Sequence, residues 1–163
     1  MRFQDEVWRH VPAGAFPLHI GYILKAQGRW NVQSEFGCIY TALTRKGAEA
    51  EWLKYLSLAG SSPSHSAPRD LVTLVVDVQP VLDLTRRNAL ASPSASFLTG
   101  NAQADLRHCQ KLAEHARALG FQALLVPSAA LRGEKNLIIY IDGIAGNLDL
   151  QVGKTRIPLN YKT

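Results

Sequence analysis

A chain of 163 residues, 47% hydrophobic and 19% charged, has enough apolar material for one core and too much for a disordered segment. Its net charge of +5 and pI near 9.4 favour anionic ligands, yet the basic residues are scattered, with short clusters only at Arg45-Lys46, Arg86-Arg87 and residues 132–135. With no long basic run or basic-aromatic platform, a small phosphorylated ligand or an acidic protein surface is as good a reading of the partner class as nucleic acid.

The longest apolar runs, such as residues 137–141, fall far short of a membrane span. Asp5 and Glu6 stand where a secretory signal would turn apolar. Cys38 and Cys109 fit no metal-ligand spacing and read as two reduced, buried thiols. These features predict a cytoplasmic protein that does not enter a membrane. Residues 1–163 are expected to form a single domain.

In chain order, residues 7–11 and the β-prone residues 38–42 read as strands. Residues 46–58 read as a helix, with Ala48, Trp52, Tyr55, Leu56 and Ala59 on one apolar face. Residues 59–68, built from small residues and prolines, form a loop inside the domain. Residues 71–78 make a β-branched strand, and residues 81–84 look like its continuation. Residues 91–100 form a second loop rich in Ser and Pro. Residues 101–119 give the firmest helix: Ala102, Leu106, Cys109, Ala113 and Ala116 recur at helical spacing, Thr99 or Asn101 can cap the start, and Gly120 can end it. Residues 121–126 and 136–141 are strands joined by a turn at residues 132–135, and residues 143–163 suggest a further hairpin. The sum is a mixed sheet packed by a few helices, an α+β domain.

Four side chains stand out as candidate ligand contacts. Glu51 lies at the border of a helical apolar face, where a carboxylate is costly unless it is paired or used. Arg29 follows Gly28, and its planar fork of donors suits phosphate oxygens. Tyr40 ends a strand and can stack on a heteroaromatic ring; Ser128 follows Pro127 at a strand end. Singly, each has an ordinary structural reading: a rim glutamate, a turn arginine, a core tyrosine, a turn serine. Val126-Pro127-Ser128-Ala129 is not the elbow of a nucleophilic serine. There is no Walker loop, no Gly-x-Gly-x-x-Gly, and no His-x-x-x-His or Cys-x-x-Cys pair, so no metal is expected.

Together the residues carry a resemblance. Trp8-Arg9-His10-Val11, Gly28-Arg29-Trp30-Asn31, Ile39-Tyr40-Thr41-Ala42, Glu51, Phe97-Leu98-Thr99-Gly100, Gln110, Leu124 to Ala129 and Asn136 to Tyr140 follow the order and spacing of a RES domain. That family is named for its arginine, glutamate and serine, and is made up mostly of toxins of bacterial toxin–antitoxin pairs. The resemblance implies a fold similar to ADP-ribosyltransferase toxins, NAD as the consumed substrate, and an Xre-type antitoxin that occludes the site. It also implies that Arg29, Glu51 and Ser128 are the name-giving catalytic residues, with Tyr40 as the ring contact. On that basis Arg29 would clamp the diphosphate, Tyr40 would stack on nicotinamide, Glu51 would stabilise an oxocarbenium-like ribose, and Ser128 would hydrogen-bond the ligand. The acceptor is left open. Inorganic phosphate as co-substrate gives an NAD phosphorylase, water a glycohydrolase, and a protein side chain an ADP-ribosyltransferase. A non-catalytic basic domain binding RNA or an acidic protein is the alternative of a different class.

Overall fold

Alternation of period two builds the sheet. The computed structural model describes residues 1–86, 93–142 and 149–161. The strands are β1 (Phe3–Pro12), β2 (Cys38–Ala42), β3 (Arg69–Val78), β4 (Val81–Asp83), β5 (Ala123–Pro127), β6 (Lys135–Tyr140) and β7 (Asp149–Leu159). They form one seven-stranded sheet in the order β4-β5-β6-β2-β1-β3-β7, antiparallel throughout except for the parallel β4–β5 pair. Among the described residues three α-helices accompany it, α1 (Ile20–Lys25), α2 (Arg45–Leu58) and α3 (Gln103–Ala118), with short 3-10 turns at Pro63–His65 and Pro93–Leu98. The fold is α+β, as expected.

Successive side chains of the central strands go to opposite faces. Leu137 and Ile139 of β6, Ala123 and Leu125 of β5, and Ile39 of β2 join Val7, Leu74 and Val76 in one core, which also takes Ile23 of α1. Ile138 and Tyr140, Leu124 and Val126, and Cys38 point the other way, against Cys109, Ala113 and Ala116 of α3. Ala48 of α2 closes a third, smaller cluster with Ala42 and Leu71, against which Trp8 packs. Both cysteines are free and buried, and burial raises both thiol pKa values.

Several expectations need correction. Residues 81–84 do not continue β3: after the turn the chain crosses to the far edge, where β4 pairs parallel with β5. Two adjacent β-rich runs give no local sign of which neighbour each will choose. The tail gives one long strand against β3 instead of a hairpin, with residues 143–148 and 162–163 outside the described residues. The short helix α1 is absent from the periodicity reading because six residues hold too few turns to show it. On α2, Tyr55 is 61% exposed and Ala59 is exposed, so the buried face is Gly47, Ala48, Trp52 and Leu56. Helix α3 starts later than expected, with Ala102 at the cap position in place of Thr99 or Asn101; the Asp105 carboxylate accepts the Ala102 N–H at 3.2 Å. Gly120, at φ +91°, ends it as predicted. The loop expected at residues 91–100 folds in its described part into the 3-10 turn, and its residues 91–92, like Arg87 of the basic cluster, lie outside the described residues.

One seam in the sheet is unlike the rest. β1 runs beside β3 from Phe3↔Val78 to Pro12↔Arg69, but meets β2 at a single register pair, Trp8↔Ala42. The strands part on either side of that pair. In place of ladder bonds, Arg9 Nη1 donates to the Tyr40 carbonyl at 3.0 Å.

Candidate functional site

A cleft of about 580 Å³ opens along this seam, between the end of α2, the start of α3 and the segment after α1. Arg29, Tyr40 and Glu51 line it. Residues far apart in sequence therefore share one concavity, the kind of place where ligands usually bind.

Glu51 is presented by α2, which Thr44 starts by accepting the Gly47 N–H at 3.0 Å. One carboxylate oxygen, Oε1, is held by two donors: Ser128 Oγ at 2.8 Å and Asn136 Nδ2 at 2.7 Å. The other oxygen has no protein donor among the described residues. Ser128, only 5% exposed, is fixed in turn, since its Oγ accepts the N–H groups of Ala130 and Leu131, each at 3.1 Å. Its backbone N–H donates to the Glu134 carbonyl at 2.9 Å, which ties it to the base of the β5–β6 hairpin. The hairpin turn itself relies on Gly133 at φ +89°. Ser128 thus sits behind Glu51, with its hydroxyl engaged by protein, and is not among the side chains lining the cleft. The serine and the glutamate come together as one unit.

Arg29 lies across from that unit. Its Nη1 donates to the Gly100 carbonyl at 2.7 Å and its Nη2 to Asn101 Oδ1 at 3.3 Å, so the loop before α3 aims the guanidinium. Lys54, one helical turn beyond Glu51, donates to the same Asn101 Oδ1 at 2.8 Å and to the Ala129 carbonyl at 2.9 Å. Burial, and then the Arg29 charge, lower the Lys54 pKa. Tyr40 forms the floor. Its hydroxyl donates to Asn31 Oδ1 at 2.7 Å and accepts the Trp30 N–H at 2.9 Å, and burial pushes the phenol well above its ordinary value. Gly28 is required here, because a Cβ at that position would overlap the Tyr40 hydroxyl. Gln110 of α3 locks the turn by donating to the Gly28 carbonyl at 3.0 Å.

The cleft also takes in Arg9 and Arg69. Burial, and then the neighbouring Arg69, bring Arg9 down to about 10. Burial with Arg69 and Arg9 holds His10 at about 3, so this ring is neutral. Four cations, Arg9, Arg29, Lys54 and Arg69, face a single lining carboxylate, Glu51, and none of the four forms an ion pair among the described residues. Such a site attracts a multiply charged anion.

The periodicity reading gave no role to Asn136, Lys54, Arg9, Arg69 or Asn31. A polar residue directly before the apolar run 137–140 was the available sign for Asn136, which is buried along with that run while Lys135 is exposed. The two strand arginines gave no such sign, because basic residues on strands are ordinarily solvent-facing.

The family model for the RES domain matches residues 6–158. The chain belongs to the RES-domain family. A chain in the crystal structure of the M. tuberculosis MbcT-MbcA toxin–antitoxin complex has the same fold, with a TM-score of 0.72 and 24% identity, covering 98% of this RES domain and 86% of that chain. No curated protein matches the sequence. Along this RES domain the match extends from β1 into β7, so it includes every residue that lines the cleft. No helix among the described residues is long and apolar enough to cross a membrane.

Proposed function

We propose that this RES domain is a toxin that consumes NAD by breaking the nicotinamide–ribose bond, and that a partner antitoxin restrains it by covering the cleft. The observation that carries the reading is the Glu51 carboxylate, pinned through one oxygen by Ser128 and Asn136 and turned toward a cleft whose other charged lining residues are the cations Arg9, Arg29, Lys54 and Arg69. The antitoxin is proposed from family membership and from the toxin–antitoxin complex that holds the structural neighbour.

Cleaving this bond expels neutral nicotinamide and leaves positive charge on the ribose, as in glycoside hydrolysis. A carboxylate that cannot rotate away stabilises that charge without reorganising in the transition state. The cations hold the diphosphate, with Arg29 supplying a planar fork. Tyr40, its hydroxyl already satisfied by protein, offers the edge and face of its ring to nicotinamide. Ser128 acts here by holding Glu51. Bond fission is complete when the ribose carbon takes an oxygen nucleophile: phosphate gives ADP-ribose-1-phosphate, water gives ADP-ribose, and a protein side chain gives a modified protein.

The test is incubation of the purified protein with NAD, with and without phosphate, followed by chromatography. Loss of NAD and release of nicotinamide are expected, and Glu51→Gln is expected to lower the rate at least a hundredfold while the fold is retained. Wild-type protein that leaves NAD intact, or a Glu51→Gln variant at full rate, refutes the proposal.

A further inference from the structure

Helix α2 presents its cleft residues in one stripe. Glu51, Tyr55 and Leu58 follow one another at i, i+4 and i+7, and all three line the cleft. From the rise of an α-helix, the stripe is about 10 Å long. Its inner end is polar, with Glu51 held by Ser128 and Asn136. Its outer end is apolar and open: Tyr55 is 61% exposed and Leu58 72%. One face of the Tyr55 ring is already used, stacked on Trp52 at a centroid distance of 5.5 Å and an interplanar angle of 17°. Trp52 is itself buried and fixed from elsewhere, with Arg69 Cζ 4.4 Å from its ring centroid and the His10 ring at 5.4 Å. The exposure of Tyr55 therefore comes from the rest of its ring, which borders the cleft. A single exposed apolar side chain needs no explanation. Here two stand together on the wall of a concavity, one of them on a buried aromatic backing. A ring held in place beforehand loses little freedom when a flat group settles on it.

We propose that Tyr55, backed by Trp52 and flanked by Leu58, is the stacking platform for a heteroaromatic base, the adenine of the dinucleotide. The assignment deepens the proposed NAD reading and rests on it for the identity of the base. A dinucleotide with nicotinamide against Tyr40 and its diphosphate on Arg29 and Lys54 has one flat group left to place. Lys54 directly precedes Tyr55 on α2, and its Nζ is tied to Asn101 and Ala129 at 2.8 and 2.9 Å. The group beyond the diphosphate therefore meets the apolar part of the wall. Stacking uses the π face and the apolar surface of Leu58, and asks for no hydrogen-bonding group on the protein. The contact is remote from the bond that breaks, so it contributes affinity far more than rate.

The experiment is calorimetric titration of the full chain with three probes: ADP-ribose and AMP, which carry the base, and nicotinamide mononucleotide, which does not. Wild type, Tyr55→Ala, Tyr55→Phe and Leu53→Ala are compared after circular dichroism has shown each to be folded. Leu53 is an exposed apolar residue of the same helix that does not line the cleft, and so controls for loss of apolar surface on α2. Tyr55→Ala is expected to weaken ADP-ribose and AMP by roughly fivefold or more, the loss of one base–aromatic stack. Tyr55→Phe and Leu53→Ala should keep most of the affinity, and nicotinamide mononucleotide should bind Tyr55→Ala as it binds wild type. In NAD cleavage, KM should rise by a similar factor with a smaller change in kcat. Equal binding of ADP-ribose by wild type and Tyr55→Ala, or no binding by wild type, overturns the platform, whether or not NAD is consumed. An equal loss for nicotinamide mononucleotide also overturns it, by placing Tyr55 at the other end of the ligand. Tyr55-dependent binding of ADP-ribose by a protein that leaves NAD intact would keep the platform and remove the NAD reading instead.

Discussion

Replacing Ser128 by alanine separates two roles for the serine of this family. If the hydroxyl binds ligand, the variant loses affinity. If it positions Glu51, as its contacts suggest, the variant loses rate and stability instead. The structure allows the size to be worked out. One hydrogen bond to a carboxylate is lost, at 2.8 Å, together with the acceptor of two backbone N–H groups at 3.1 Å. A hydrogen bond to a charged group contributes roughly 1.5–3 kcal/mol, and a neutral one about 1 kcal/mol. Water can reach part of this turn, because Ala129, Ala130 and Leu131 are only half-buried. A net loss of about 3 kcal/mol follows, which for a domain of this size lowers Tm by roughly 5–10 °C.

Asn136 still holds Oε1 at 2.7 Å in the variant, so the carboxylate is loosened and not released. Misplacing a catalytic group by a fraction of an ångström costs on the order of ten- to a hundredfold in rate. The assay is steady-state NAD cleavage with a thermal melt on the same sample. A fall of kcat in that range with KM unchanged, and a lower Tm, is expected. A raised KM at unchanged kcat and Tm would show that the hydroxyl contacts substrate and that its placement behind Glu51 is incidental.

Other perturbations follow from the same geometry. Gly28→Ala forces a methyl group into the Tyr40 hydroxyl and should destabilise by about 1–3 kcal/mol, read as a lower Tm. Tyr40→Phe leaves Asn31 Oδ1 and the Trp30 N–H without their mutual partner and should cost about 1–3 kcal/mol, measured by urea unfolding. Arg29→Met should raise KM for NAD at least tenfold with a smaller change in kcat, checked by initial rates across substrate concentration. His10, held at about 3 against an ordinary 6.5, binds fewer protons folded than unfolded between those values, so folding stability should fall as pH drops from 6.5 toward 3. The effect is absent above that window, and His10→Gln should flatten this acid limb in denaturant titrations at stepped pH; an unchanged limb would show that the depressed carboxylates of Asp70, Asp77 and Asp83 account for it alone.

Much of the fold was legible because local pattern and tertiary use agree. The β2 span was read without error, since Cys38–Ala42 alternates and is buried on both faces. Helix α3 was legible through Cys109, Ala113 and Ala116, which do face the sheet. Tyr55 was misplaced for a functional reason: the helix turns it toward the cleft instead of the core, where periodicity cannot distinguish the two. The strand order was not legible, because β4 and β7 reach opposite edges through long-range pairing that leaves no mark in either segment. Within the site, Arg29, Glu51 and Ser128 were reached through a family pattern, whereas the support of Glu51 by Asn136 and the pairing of Arg9 with Arg69 appear only when strands distant in sequence are laid side by side.

The single Trp8↔Ala42 pair explains why the chemistry collects where it does. A fully laddered β1–β2 seam would satisfy the backbone of both strands and leave a flat surface. Where the strands separate, backbone groups need other partners, and Arg9 takes the Tyr40 carbonyl. The opening is roofed by α2, which brings Glu51 and Lys54 over the gap, and by the segment after α1, whose Arg29 is held there by Gly100 and Asn101 of the loop into α3. Polar side chains are kept there at some cost in stability, as the unpartnered Nε atoms of Arg9 and Arg69 and the unpartnered Oδ1 of Asn136 show. If the gap exists to hold anions, a ligand held by its half-buried cations should stabilise the domain more than binding to exposed cations would. The thermal shift on adding NAD or phosphate should then survive moderate salt, because half-buried charges are screened less than surface ones. A shift that vanishes between 50 and 300 mM sodium chloride would place the anion on the outer surface and leave the separated strands without a purpose.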